Sequence, residues 1–124
     1  MKRMMHCCAL SMEIHIPDSG SLKSKRKVVK HLLETCRVRF GVAVSEVGHQ
    51  DRWQRSALAF AAIGSSPGQV EDVLDAVERY VWSHPEVDVL EQSRCWLEHG
   101  GQRSVGARPP PRSARRIQPP PWRR

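Results

Sequence analysis

An α+β fold, with two helices on one face of a four-stranded antiparallel sheet, is predicted by three features of the sequence. Four stretches carry the alternating or short unbroken apolar pattern of strands, and two carry the 3.6-residue period of amphipathic helices. Their order is strand–helix–strand–strand–helix–strand, all within residues 1–98, which is the split βαβ arrangement. The first and third strands are the most apolar, as the two central strands of such a sheet should be.

The first strand is expected over residues 6–16. Leu10, Met12, Ile14 and Ile16 share one face, and Ala9, Ser11, Glu13 and His15 share the other. Pro17, Asp18, Ser19 and Gly20 supply the turn. Ser21 is a natural N-cap for a helix that reaches Phe40. On its wheel Leu22, Val29, Leu33, Cys36 and Phe40 form an apolar stripe, widened by Val28 and Leu32. Gly41 ends the helix, and GVAVSEVG forms the second strand. The polar run from Gly48 to Arg52 is a hairpin connection, and the third strand is expected from about Trp53 to Ile63. Both faces of that strand are apolar, Ala57, Ala59, Ala61 and Ile63 on one, Leu58, Phe60 and Ala62 on the other. The face away from the helices therefore calls for a cover, and a second copy of the chain is the simplest one. Pro67 opens the second helix, along which Val70, Val73, Leu74, Val77 and Val81 recur. Glu71, Asp72 and Asp75 suit its N-terminal end. His84-Pro85 stops it, and residues 87–97 hold the last strand. The whole is a ferredoxin-like sandwich.

Net charge separates two regions. Residues 1–98 contain all 13 acids and 13 of the 20 Lys and Arg residues, so this domain is neutral. The remaining seven arginines lie in residues 99–124, an acid-free tail with two proline triplets. Such a tail cannot bury a core and is expected to be disordered. It reads as a nonspecific RNA-backbone arm, a proline-rich ligand or an uncommitted extension. Cys7, Cys8, Cys36 and Cys95 follow no metal or redox spacing, and neighbours on a strand point to opposite faces. Reduced, buried or half-buried thiols are expected, with no metal and no cofactor. The apolar patch near the N-terminus is short and runs into a strand pattern, so a secretory signal is rejected. No segment is long enough to span a membrane. A cytoplasmic protein is the resulting expectation.

The block Ser21 to Lys30 (SLKSKRKVVK), the block Glu46 to Arg55 (EVGHQDRWQR) and the later run VEDVLDAVERYVWSHPEVDVL closely resemble the YlxP-like family of small uncharacterised bacterial proteins. The similarity covers Ala9 to Leu97. It implies a ferredoxin-like fold and a bacterial source. Genes of this family often lie beside translation-initiation and ribosome-maturation genes, which implies work on RNA or the ribosome. No catalytic residue or established activity comes with the resemblance. His6, the Cys7-Cys8 neighbours and the tail depart from the family pattern.

Two candidate sites follow. Lys23, Lys25, Arg26 and Lys27 crowd the start of the first helix, where the dipole favours acids. Lys23, Arg26, Lys27, Lys30 and Arg37 fall within an arc of roughly 100° that only Glu34 interrupts. With Ser21 and the free N–H groups that follow it, they make a candidate site for an anion or an RNA backbone. The plain alternative is a solvated helix face. No nucleotide-binding Gly-x-x-x-x-Gly-Lys is present. Base stacking on the sheet is not expected, because the exposed first-strand positions are Ser11, Glu13 and His15.

The second candidate is the hairpin block His49, Gln50, Asp51, Arg52, Trp53 and Arg55. His49 and Asp51 offer an acid–base pair. The structural alternative has Gly48 at a bulge, Trp53 packed over the sheet, and Asp51 paired with Arg52 or Arg55 or capping the turn. Without a nucleophile or metal cluster the block reads as structure or partner surface. His15 and His31 read as polar-face residues. The expected function is non-catalytic binding of RNA or a ribosomal particle through the first helix. Homodimerisation through the sheet face is the alternative, and an enzyme built on the hairpin block is the third.

Overall fold

A computed structural model describes residues 5–97 of the chain. Its elements are β1 (His6–His15), α1 (Leu22–Phe40), β2 (Ala43–Gly48), β3 (Arg55–Gly64), α2 (Pro67–Ser83) and β4 (Asp88–Trp96). The expected domain limit at residue 98 and the tail 99–124 lie outside the described residues. The strands form one antiparallel sheet in the order β2-β3-β1-β4. The two central strands are thus the first and third, and the fold is the ferredoxin-like α+β sandwich.

One face of the sheet carries the core. Cys8, Leu10, Met12 and Ile14 of β1 and Leu58, Phe60 and Ala62 of β3 are buried beneath Val29, Leu32 and Cys36 of α1 and Val70, Leu74, Val77 and Val81 of α2. Both helices bury residues at spacings of four, three and four, a stripe parallel to the helix axis. In α1 the first member of that series is Lys25, so the buried stripe is rotated from the expected one; Leu22, Val28, Leu33 and Phe40 are only half-buried.

Local chemistry fixes the ends. The Ser21 hydroxyl accepts the Ser24 N–H at 3.1 Å, and Ser66 does the same for Gln69. Gly41 stops α1 at φ +69°, a left-handed conformation in which its N–H donates to Arg37 O at 3.1 Å. Two expectations are corrected. The third strand begins at Arg55, because Arg52 N–H donates to His49 O and folds residues 49–54 into a turn; Gln54 O then accepts the Ile16 N–H just outside the ladder. The first turn of α2 holds no acid, and Asp75 instead pairs with Arg94 of β4 at 2.7 Å, beside a 2.9 Å contact to Glu78.

Register breaks occur on both outer strands. β2 shifts against β3 between Glu46 and Gly48, and β4 shifts against β1 between Glu13 and Ile14. Gly48 suits the break, since a Cβ on it would lie 3.1 Å from the Ala57 Cβ, a tight approach that the neighbouring strand would have to accommodate. The face away from the helices is tiled by small side chains, including rows Ala43-Ala61-Ala9 and Ser45-Ala59-Ser11. Ile63 stands on this face and is 71% exposed.

All four cysteines are free. Cys36 is buried, and loss of hydration pushes its thiol up to about 12. Cys7 and Cys8 point to opposite faces as expected, whereas Cys95 is exposed rather than covered. Among the described residues no helix is long and apolar enough to cross a membrane.

Candidate nucleic-acid interface

The helix block and the hairpin block, separate in sequence, meet in space. Lys25 connects them. Its side chain is fully buried, and Nζ lies 2.6 Å from Glu46 Oε2 while donating to His49 O at 2.7 Å and Gln50 O at 3.3 Å. Ser56 Oγ donates to the same Glu46 oxygen at 2.7 Å. Three acceptors match the three N–H groups of an ammonium, which is how a cation is tolerated in a core position. Lys25 therefore belongs to the interior and drops out of the set of surface cations.

A second tie reinforces the first. The Gln54 side-chain amide donates to Pro17 O at 3.1 Å and Ser19 O at 3.3 Å. This attaches the 49–54 loop to the turn that leads into α1. On the sheet side, Glu13 Oε2 receives Arg55 Nη2 and lies 3.0 Å from His49 Nε2. The Arg55 hydrogen bond, with its charge and the His49 contact adding to it, holds the Glu13 carboxyl below the usual carboxylate range. His49 has φ +59°, left-handed backbone that is uncommon for a non-glycine residue and that histidine adopts more readily than most. The Lys25 bond to its carbonyl and the Glu13 contact to its ring hold the residue in that conformation.

The expected pairing within the hairpin block is thus replaced. His49 finds its carboxylate on β1, not at Asp51, and Arg55 pairs with Glu13 as well. Among the described residues Asp51 makes no ion pair. Trp53 does not pack over the sheet, because it sits in the turn before β3 and is 55% exposed. Asp51, Arg52, Trp53, Gln54 and Arg55 line a concavity of about 440 Å³. A smaller one of about 240 Å³ lies on the open sheet face beside Ser11, Glu13, Glu91 and Ser93.

The α1 cations of the candidate site divide into two groups. Arg37 is bound to Glu34 through Nη2 at 2.5 Å, and that bond holds the Glu34 carboxyl below its ordinary value. Lys30, one turn earlier, adds to the same lowering. Lys23, Arg26 and Lys27 are exposed and have no acidic partner among the described residues; the first turn of α1 contains no acid. Ser21 serves as the cap, its hydroxyl engaged with Ser24. His15 lies 3.8 Å from Asp88, and the His31 ring stands edge-on to His84 at 6.4 Å, so both have ordinary structural neighbours. Sequence reasoning missed Lys25, Gln54 and Glu13, whose partners all lie far along the chain. The one available signal was the place of Lys25 four residues before Val29, on the apolar stripe.

Fold and site together define a small ferredoxin-like sandwich with a basic helix end clipped to a hairpin loop. The chain belongs to the family described as "Protein of unknown function (DUF503)", which matches residues 7–94. It is 43% identical over 76 residues to the "Uncharacterized protein YlxP" of Bacillus subtilis (strain 168), spanning 61% of this chain and 83% of that protein. Among solved structures, the "De novo designed protein Foldit4" aligns with a TM-score of 0.49 and 13% identity, over 74% of this chain and 99% of that one.

Proposed function

We propose that the chain is a non-catalytic cytoplasmic protein that binds RNA, free or in a ribosomal particle, by holding phosphate backbone against α1. The observation that carries this is the exposure of Lys23, Arg26 and Lys27, without acidic partners among the described residues, at the helix end whose dipole is already positive. Such a cluster repels itself in the free chain and is relieved by a polyanion. Lys30 extends it by a turn. Arg52 extends it sideways, being exposed, without an acidic partner among the described residues, and carried on the loop that Lys25 ties to the helix.

The test is fluorescence anisotropy with single-stranded RNA over a salt series. The whole chain is compared with a chain ending at Glu98, which removes the tail arginines. Four phosphate contacts give a slope of about −3 in log K against log salt. Replacing Lys23, Arg26, Lys27 and Lys30 by Glu in the shorter chain is expected to abolish binding at low salt. Unchanged affinity would rule out α1 as the contact surface. A second reading, self-association through the open sheet face, is favoured by the 71% exposure of Ile63 beside the alanine rows.

A further inference from the structure

We propose that the concavity beside Trp53 is a stacking subsite for one unpaired nucleobase, so that the chain selects single-stranded over duplex RNA. This rests on the backbone-binding reading above and adds to it the chemical class of the bound nucleotide.

The first support is rigidity. The loop bearing Trp53 is held by Lys25 at the carbonyls of His49 and Gln50, by the Arg52 N–H bond to His49 O, and by Gln54 at Pro17 and Ser19. Immediately after it, Arg55 is fixed on Glu13. An indole on a loop anchored at so many points is exposed because the backbone keeps it there. Trp82 is similarly exposed, but its Nε1 donates to Gln92 Oε1 at 2.9 Å; Trp53 has no such partner among the described residues.

The second support is the chemistry and size of the recess. It is an open hollow of about 440 Å³ lined by five consecutive residues, which gives a flat base room to lie against the indole without being enclosed. It combines an aromatic face for stacking, the Asp51 carboxylate to accept from a base N–H, and the Arg52 guanidinium for a phosphate or base oxygen. The third support is position. Gln54 bonds to Ser19, two residues before the cap of α1, so the loop that carries the indole is held against the turn leading into the basic end of the helix. Bases in a duplex hide their faces, and only an unpaired one can lie against Trp53.

The test uses the full chain and three probes: a single-stranded oligouridylate, its duplex with oligoadenylate, and inorganic polyphosphate, which has no bases. Trp53→Ala is expected to weaken oligouridylate binding about tenfold while leaving polyphosphate binding unchanged. Trp53→Phe is expected to retain most of the affinity. Equal loss on oligouridylate and on either the duplex or polyphosphate would overturn the subsite, and so would no loss on oligouridylate. If Trp53→Ala is silent while glutamates at Lys23, Arg26, Lys27 and Lys30 abolish RNA binding in the chain ending at Glu98, the subsite fails and the α1 reading stands. If the unaltered chain binds no RNA, both fail.

Discussion

Glu13 takes its two partners from outside its own strand, Arg55 from β3 and His49 from the loop, both directed at one carboxylate oxygen. Because its folded pKa is lowered, principally by the Arg55 hydrogen bond, its contribution to stability is complete above the ordinary value of 4.5. That contribution fades as pH falls below 4.5 and through the lowered value. Denaturant midpoints followed from about pH 6 to about pH 2 are expected to fall less steeply in Glu13→Gln than in the unaltered chain. An identical pH slope would mean that the trio contributes nothing. This residue illustrates what could be read from sequence alone. Alternation placed Glu13 on the face away from the core, but its partners, 36 and 42 residues away, depend on strand register and loop shape. Trp53 was misplaced for a related reason. A large apolar residue is expected to be covered, and its exposure follows from a turn held by long-range bonds.

At the level of elements, Lys25 makes α1 and the β2–β3 hairpin one mechanical unit. Lys25→Met removes one partner of a mostly buried pair, leaving Glu46 to Ser56 alone and two loop carbonyls unmet. We expect a loss of about 3 kcal/mol in urea unfolding, at the lower end for such breaks because water reaches Glu46. Amide exchange in residues 49–54 should quicken in the same variant. A second change, Glu46→Gln, is expected to restore part of the stability by removing the orphaned charge. The type and order of every element were legible, since caps, glycines and apolar periods act locally: Ser21, Gly41 and Pro67 stand at the ends they were expected to mark. The phase of the α1 stripe was not. A lysine on an apolar face is counted as solvent-facing until a carboxylate and two carbonyls converge on it, and none of the three lies within 20 residues of Lys25.

Over residues 5–97 the molecule is two-sided, with a close-packed core beneath the helices and a sheet face of alanine and serine ending at Ile63. If two copies pair, this face is the surface whose burial would remove the most exposed apolar side chain of the sheet. Sedimentation equilibrium should then give a dimer that Ile63→Glu returns to monomer, and a monomer at high concentration in the unaltered chain would exclude the pairing. The register breaks on β2 and β4 bear on what kind of assembly is open to the protein. A straight outer strand presents an even row of N–H and C=O groups that templates another strand, and repetition of that step builds a fibre. Here each outer strand is kinked within its length, so the row is out of step with any regular incoming strand. Growth by edge-to-edge addition is thereby disfavoured at both margins of the sheet, whereas isologous association through its face closes at two copies.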